Sequence, residues 1–160
     1  MVITPNILKY SHIFAFCMTE TETFELEFDD TQEEEQDYSA EYKISTYGAD
    51  YTVEILSQKF DDGEIIIPSF QRKFVWDEKR ASKLVESFLL GLPVPQIFLY
   101  REEDTQNLLV IDGQQRLTAL NLFLSGKWKD GSSFGLKSVL PKWQGKTFDE
   151  LSESERRKLK

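Results

Sequence analysis

The sequence predicts one domain that mixes α-helices with short β-strands. A run of apolar residues at 108–111 contains no polar side chain, which is typical of a buried strand. Apolar residues make up 40% of the 160 residues, and no run approaches the roughly 20 needed to span a bilayer, so we expect a core and no membrane partner. The clearest helical signal is an apolar stripe with the spacing of one helix face: Ala81, Leu84, Val85, Phe88 and Leu89.

The first elements follow from about residue 42. Loosely alternating residues at 43–47 indicate a short strand. Thr52 is a suitable N-cap for a helix that the Asp-Asp-Gly segment at 61–63 ends. The β-branched residues at 65–67 predict a strand, which Pro68 ends because proline has no N–H to donate.

The second half of the domain repeats this alternation. Asp77 is a good N-cap for the helix that carries the apolar stripe, and Gly91 is a good stop for it. Residues 96–101 predict a strand, and the polar residues 102–107 predict a turn before the apolar run. A last helix ends before Gly126 and is marked by Leu117, Leu120 and Leu124.

Charge distinguishes the N-terminal part from the rest. Eleven of the 28 acidic residues lie at 20–41, whereas 18 basic and 17 acidic residues nearly cancel from 43 onward. A segment so acidic cannot bury enough apolar surface to offset its ordering entropy. We therefore expect residues 1–41 to be a disordered acidic extension, with an acidic interaction arm as the alternative. Met18 is a second candidate start, which would make 1–17 an upstream extension.

Beyond the domain at 42–128 the periodic signal weakens. Residues 129–160 contain two matches to the helix capping box, beginning at Thr147 and at Ser152. We interpret this part as the start of a C-terminal helical extension, and we expect the chain to be truncated within it.

Histidine and cysteine are nearly absent from the sequence. The single histidine, His12, lies in the candidate upstream extension at 1–17, which excludes a histidine-metal nuclease site, a Ser-His-Asp triad and a Cys-His pair within the rest of this chain. Cys17 is the single cysteine, so there is no internal disulfide framework, and we expect a reducing, cytoplasmic compartment. A Walker A sequence is also absent.

An Asp-Gly-Gln-Gln-Arg segment stands between the apolar strand and the last helix. Helix N-termini expose unpaired N–H groups and bind anions, and Gly113 permits the close approach of a phosphate. Arg116 offers bidentate donors, and Asp112 is suited to hold a Mg²⁺ that bridges phosphates. Gln114 and Gln115 are suited to orient a water or a base. The alternative is that the aspartate is only an N-cap and the glycine only a turn.

A second segment at 67–76 alternates hydrogen-bond donors with aromatic rings. Basic groups interleaved with rings can bind a nucleotide by pairing its phosphates and stacking its base. The alternative is that the rings fill the core and the charges lie on the surface. The donors are Gln71, Arg72 and Lys73, and the rings are Phe70, Phe74 and Trp76.

The two segments together resemble the N-terminal domain of the GmrSD family, also called DUF262. Its hallmark is Ile-Pro-x-(aromatic)-Gln-Arg-x-(aromatic)-x-Trp, found here at 67–76, then a helix that ends in Gly-x-Pro, found at 91–93. A strand then leads to Asp-Gly-Gln-Gln-Arg-Leu-Thr-(Ala/Thr)-Leu, found at 112–120. The resemblance covers roughly 42–128.

This resemblance implies an α+β fold of the ParB/sulfiredoxin-like type, in which helices pack on a small mixed sheet. It implies a nucleoside triphosphate ligand (GTP, ATP or CTP) with Mg²⁺, and a possible NTPase activity. The catalytic residues would be Asp112, which would also ligate the Mg²⁺, Gln114 and Gln115. The nucleotide-binding residues would be Gln71, Arg72, Gly113, Arg116 and Thr118.

The family also implies a role in restricting modified phage DNA. Its members cut DNA with a C-terminal nuclease domain, for which we expect no counterpart within these 160 residues, so DNA would be reached through such a domain or through a partner. Homo-oligomerisation is compatible with the sequence. Two alternatives are a non-catalytic DNA-binding ParB-like module and an inert fragment. The near-neutral charge beyond residue 43 argues against strong independent affinity for DNA.

Overall fold

The computed structural model describes residues 13–19 and 45–159, in which five strands form one mixed sheet. Their order across the sheet is β2-β1-β4-β5-β3. The pairs β1–β2 and β4–β5 are antiparallel, whereas β1–β4 and β3–β5 are parallel. The predicted α+β class with a small mixed sheet is therefore confirmed. The strands are β1 (Ile13–Thr19), β2 (Ser45–Tyr51), β3 (Ile65–Ile66), β4 (Ile97–Arg101) and β5 (Leu108–Asp112).

Two of the helices begin at Thr52 and Asp77, the capping residues that the sequence predicts for them. The Thr52 hydroxyl accepts a hydrogen bond from the N–H of Ile55 at 3.2 Å, and Asp77 Oδ1 accepts one from the N–H of Arg80 at 2.9 Å. Gly91 ends its helix in the left-handed conformation, with φ of 71°. The helices in the described part are α1 (Val53–Asp61), α2 (Glu78–Leu90), α3 (Gln114–Leu124) and α4 (Glu153–Arg156).

The core lies between the sheet and the first three helices. All five residues of the predicted stripe on α2 are buried, and β5 buries Leu108 and Val110. Helix α3 packs against α1 and α2, so its N-terminus is held where β5 leaves the sheet. In the described residues, no helix is long and apolar enough to cross a membrane.

Strand β1 differs from the predicted disordered extension at 1–41. Its seven residues pair with β2 on one side and with β4 on the other. Pairing along both edges supplies backbone hydrogen bonds that composition alone does not reveal. The rest of that extension, including its acidic segment, lies outside the described residues.

The segment after residue 128 differs from the predicted helical extension. It contains one four-residue helix, α4, and otherwise consists of turns. Its apolar residues are buried in the same core as the sheet and helices, so 128 is not a boundary in the packing. Their irregular spacing hides them from a search for periodicity. They are Phe134, Leu136, Trp143, Leu151 and Leu159.

Two carboxylates anchor this C-terminal segment. Burial raises the pKa of Glu86, but hydrogen bonds from Lys83 and from the N–H of Leu140 outweigh it and hold the pKa below its usual value. Glu155 accepts a hydrogen bond from the indole of Trp143 at 2.5 Å, which with further bonds from Ser152 lowers its pKa to about 2. Both carboxylates are therefore ionised at neutral pH and bind donors of the segment.

Candidate functional site

A cleft of about 340 Å³ opens where β5 ends and α3 begins. One wall is the N-terminus of α3, and the facing wall comes from the loop between β3 and α2 and from the first turn of α2. Both signature segments of the sequence therefore meet at one place. The lining residues are Gln71, Arg72, Trp76, Arg80, Ile111, Asp112, Gly113, Gln114, Gln115 and Arg116.

The N-terminus of α3 has no side-chain cap. Gly113 is the N-cap residue, with φ of 97°, and no side chain accepts a hydrogen bond from the first turn. That turn also contains no acidic residue. The first N–H groups of a helix have no intrahelical partner and carry a partial positive charge. This positive helix end therefore faces the cleft without a protein anion to cap it.

Gly113 is required by space as well as by backbone conformation. A Cβ added there would lie 2.9 Å from Ile97 Cγ1 and 3.2 Å from Ile97 Cα. It would also lie 3.1 Å from Arg116 Nη2. Strand β4 therefore lies in close contact with the start of α3, and only glycine fits between them.

Two glutamines fasten the loop wall to the helix wall. Gln71 Nε2 donates to the carbonyl oxygens of Val110 and Ile111, at the end of β5. In return, Gln115 Oε1 accepts the N–H groups of Val75 at 2.9 Å and Trp76 at 3.3 Å. These reciprocal bonds fix the relative position of the two walls.

Gln115 also donates from Nε2 to the carbonyl oxygen of Lys73 at 3.2 Å. Its amide is thus engaged on both sides by the loop backbone. This geometry favours a positioning role and does not favour the predicted role in orienting a water or a base.

Gln114 is as buried as Gln115, but its side chain forms no hydrogen bond with the described residues. Both side chains belong to residues that are 8% exposed. The amide of Gln114 lines the cleft, and no hydrogen-bond partner for it exists within the described part of the chain. Neither atom of this amide is fully enclosed, so a group that enters the cleft can form a hydrogen bond with it.

Arg116 stabilises the start of α3 through two hydrogen bonds. Its Nη2 donates to the carbonyl oxygen of Gln96 at 3.0 Å and to Asp112 Oδ2 at 2.7 Å. The Asp112 side chain is 67% exposed, and the Arg116 side chain is 15% exposed. An ion pair with so exposed a partner is weak, so an incoming anion can compete with the aspartate for the arginine at low cost.

The charge that lines the cleft is predominantly positive. Three arginines, at 72, 80 and 116, face one carboxylate, that of Asp112. Arg72 is exposed and forms no bond with any described residue. Arg80 forms no ion pair there either, and its guanidinium carbon lies 5.1 Å from the centre of the Trp76 ring. The cleft thus carries two free cations on its loop wall and a positive helix end opposite.

Seven of the eight predicted site residues line the cleft. Thr118 is the exception, because its hydroxyl is buried one turn further along α3 and has no hydrogen-bond partner among the described residues. Of the three predicted rings, Trp76 lines the cleft, whereas Phe70 is 83% exposed and Phe74 packs edge-on against Trp128 in the core.

Arg80 and Ile111 line the cleft but were not predicted as site residues. A signal for Arg80 exists in the sequence, because it is a basic residue in the first turn of a helix, as Arg116 is. A positive charge there opposes the helix dipole and needs a compensating partner. Ile111 has no comparable signal, since it is half-exposed at the end of an apolar strand.

A metal ion held by protein side chains alone has no site in the described residues, since nowhere do three histidine, cysteine or acidic residues converge. Asp112 is the single carboxylate among the described residues that line the cleft. One exposed carboxylate is the number with which Mg²⁺ is commonly bound when phosphate oxygens supply other ligands. The donor set therefore fits a Mg²⁺ that arrives with a polyphosphate.

The sequence matches a described protein family over most of the folded part. Residues 52–160 match the GmrSD restriction endonuclease, N-terminal domain. The chain is also 32% identical, over 89 residues, to an uncharacterized protein of Methanocaldococcus jannaschii. That alignment covers 41% of this chain and 15% of the relative. No solved structure matches the chain significantly.

The family match spans α1 through α4 and so includes both walls of the cleft. It also includes the C-terminal segment that packs into the core beyond residue 128. This chain therefore belongs to the family of the GmrSD restriction endonuclease N-terminal domain.

Proposed function

We propose that this domain binds a nucleoside triphosphate together with Mg²⁺ in the cleft. The observation that carries the proposal is the uncapped N-terminus of α3, which faces two arginines without ion pairs across a cleft lined by the unpartnered amide of Gln114. Each of these features interacts favourably with an anionic ligand. A polyphosphate supplies several negative oxygens in a row, which suits a row of N–H donors and guanidinium groups.

The phosphate chain would lie between the two walls. Backbone N–H groups at the start of α3 would bind it from one side, and Arg72 would bind it from the loop side. Arg116 would exchange its exposed partner, Asp112, for a phosphate oxygen. The released carboxylate would then ligate Mg²⁺, which neutralises charge on the phosphates and polarises them.

Gln114 is the residue best placed to assist hydrolysis. Its free amide can hold a water near the terminal phosphate, whereas the amide of Gln115 is occupied. Water would attack the terminal phosphorus, the bond to the bridging oxygen would break, and the products would be a nucleoside diphosphate and inorganic phosphate. The proposal therefore includes slow hydrolysis of the bound nucleotide, which depends on the Gln114 amide.

The family match supports a role in DNA restriction, and we propose that the domain serves phage defence as a nucleotide-dependent module. DNA would be cut by a nuclease domain or partner whose activity the bound nucleotide controls. We further propose a ParB/sulfiredoxin-like relation for the sheet and a cytoplasmic location. The chain covers 15% of the length of the relative described above. The roles in DNA restriction and phage defence are therefore proposed for a whole system and not for this domain alone.

The test is a calorimetric panel of GTP, ATP and CTP with Mg²⁺, with phosphate release measured on the same samples. At least one nucleotide should bind to the wild type. Arg72→Ala should weaken that binding by about 1.5–3 kcal/mol, the usual loss for a hydrogen bond to a charged group. Arg157→Ala is the matched control, since Arg157 is an exposed arginine on α4's C-terminal side that pairs with Glu153. It should leave affinity unchanged.

Equal affinities in the wild type and in Arg72→Ala would contradict the proposed site. Submicromolar binding of DNA in a low-salt filter assay, without nucleotide, would favour a DNA-binding module instead. The absence of binding by any nucleotide, in a protein that unfolds cooperatively, would favour an inert fragment.

A further inference from the structure

One wall of the cleft pairs an aromatic ring with a cation. Trp76 is half-buried and is the one aromatic residue among the described residues that line the cleft. The guanidinium carbon of Arg80 lies 5.1 Å from the ring centre, within the roughly 6 Å range of a cation–π contact. A guanidinium is planar and stacks on aromatic faces, so the pair offers a π-face and a positive charge to a flat group that enters the cleft.

The core explains only part of this arrangement, because Trp76 is half-buried and packs against the core while it also lines the cleft. Phe74, two residues earlier, is the ring that the loop inserts among the buried aromatic residues, where it contacts Trp128 at 5.6 Å between ring centres. Arg80 is exposed and forms no ion pair in the described part of the chain. The packing therefore accounts for one side of the indole, and it does not account for the guanidinium that lies over the ring at the cleft.

The position of this pair is fixed relative to the helix wall. The N–H of Trp76 donates to Gln115 Oε1 at 3.3 Å, which ties the residue to the first turn of α3. Arg80 stands in the first turn of α2, whose N-terminus is capped by Asp77. The aromatic ring and its cation thus lie beside the uncapped helix end, an arrangement suited to a ligand that joins a flat group to a negatively charged chain.

We propose that Trp76 and Arg80 form the base-binding wall, on which the nucleobase stacks while the phosphates lie at the N-terminus of α3. This inference rests on the proposed function, which concerns the phosphate end of the ligand alone. Stacking is tolerant of base identity, because every base has a π-face. The wall therefore distinguishes nucleotides from polyphosphates without a base, and does not by itself select among GTP, ATP and CTP.

The test compares an NTP with inorganic tripolyphosphate, both with Mg²⁺, on the full chain by calorimetry. The wild type should bind the tightest nucleotide of the panel between about 5-fold and about 100-fold more tightly than tripolyphosphate, the range that stacking of one base supplies. Trp76→Leu should remove most of that preference while its tripolyphosphate affinity stays within about 3-fold of wild type. Trp76→Phe should retain part of the preference.

Tryptophan fluorescence gives a second readout on the wild-type protein. Trp128 and Trp143 are buried, at 6% and 1% exposure, so a ligand in the cleft reaches Trp76 alone among the three tryptophans. The nucleotide should quench the emission and tripolyphosphate should not, and the quenching should be absent from Trp76→Phe.

The possible failures are distinguishable. If the wild type binds tripolyphosphate and the nucleotide equally well, or if Trp76→Leu loses affinity for both in equal measure, the base-binding wall is wrong and the phosphate site stands. If the wild type binds neither ligand, the proposed function fails and this inference fails with it.

Discussion

The N-termini of α2 and α3 both reach the cleft, but they are built differently. Helix α2 begins at Asp77, whose carboxylate accepts the N–H of Arg80, and its first turn contains Glu78. Helix α3 begins at Gly113, without a side-chain cap and without an acidic residue in its first turn. The first helix end is satisfied by its own chain, whereas the second is left open toward the cleft.

The difference teaches how stability and binding are divided in this domain. A cap such as Asp77 contributes about 1 kcal/mol to the free energy of unfolding, and α3 lacks such a contribution. The position equivalent to Glu78 in α3 is Gln114, which is neutral, buried and without a partner. An acidic residue there would complete the helix and would repel an anion. The open end is therefore the structural basis of the proposed site.

The largest effect on stability should come from adding a side chain at Gly113, the first residue of the open helix end. Gly113→Ala places a Cβ 2.9 Å from Ile97 Cγ1 at a φ of 97°, so strain and overpacking add. We expect a loss of about 3 kcal/mol in the free energy of unfolding, measured by urea denaturation. Gly91→Ala is the control, because Gly91 has φ of 71° with nothing within 4 Å of the added Cβ, and it should cost about 1 kcal/mol. Equal losses would mean that the contact with β4 is unimportant.

The next effect should come from separating the two walls. Gln115→Ala removes three hydrogen bonds to the backbone of the loop at 73–76, and we expect it to lower the unfolding free energy by about 2 kcal/mol. Gln114→Ala is a matched control with the same burial and no bonds, and it should change stability by less than about 0.5 kcal/mol. If the two neighbours lose stability equally, the distinction between a positioning and a free glutamine is wrong.

The smallest effect should come from uncapping the satisfied helix. Asp77→Ala removes the bond to the N–H of Arg80, and thermal or urea denaturation should show a loss of about 1 kcal/mol. Tripolyphosphate affinity should stay unchanged, because the phosphates are assigned to the other helix. A large gain or loss of that affinity would show that α2 also binds phosphate, which would break the comparison.

Local signals predicted much of the fold. Thr52, Asp77 and Gly91 mark helix boundaries because caps act through their own neighbours in the chain. Strand β1 and the segment after residue 128 were missed, because their places depend on pairing and packing with distant residues. Trp143, for example, is buried within a turn-rich segment without helical or strand periodicity.

The site was predictable as a pair of segments but not as a geometry. Sequence order placed Gln71 and Arg116 in separate motifs, and both line the cleft. The sequence could not show that Gln115 is occupied by the loop while Gln114 is free, since the two differ by 100° around one helix. Nor could it show that Arg80, outside both motifs, completes the loop wall.

The most direct test of the open helix end is Gln114→Glu, which gives α3 the acidic first-turn residue that α2 has. An acid at this position interacts favourably with the helix dipole, so the unfolding free energy should be unchanged or should rise by up to about 1 kcal/mol. Calorimetry with tripolyphosphate and with the magnesium nucleotides should show at least about a tenfold loss of affinity, because the new charge faces the phosphates at short range. Wild-type affinity in a stable Gln114→Glu protein would contradict the account, since phosphates would then bind elsewhere than at the start of α3.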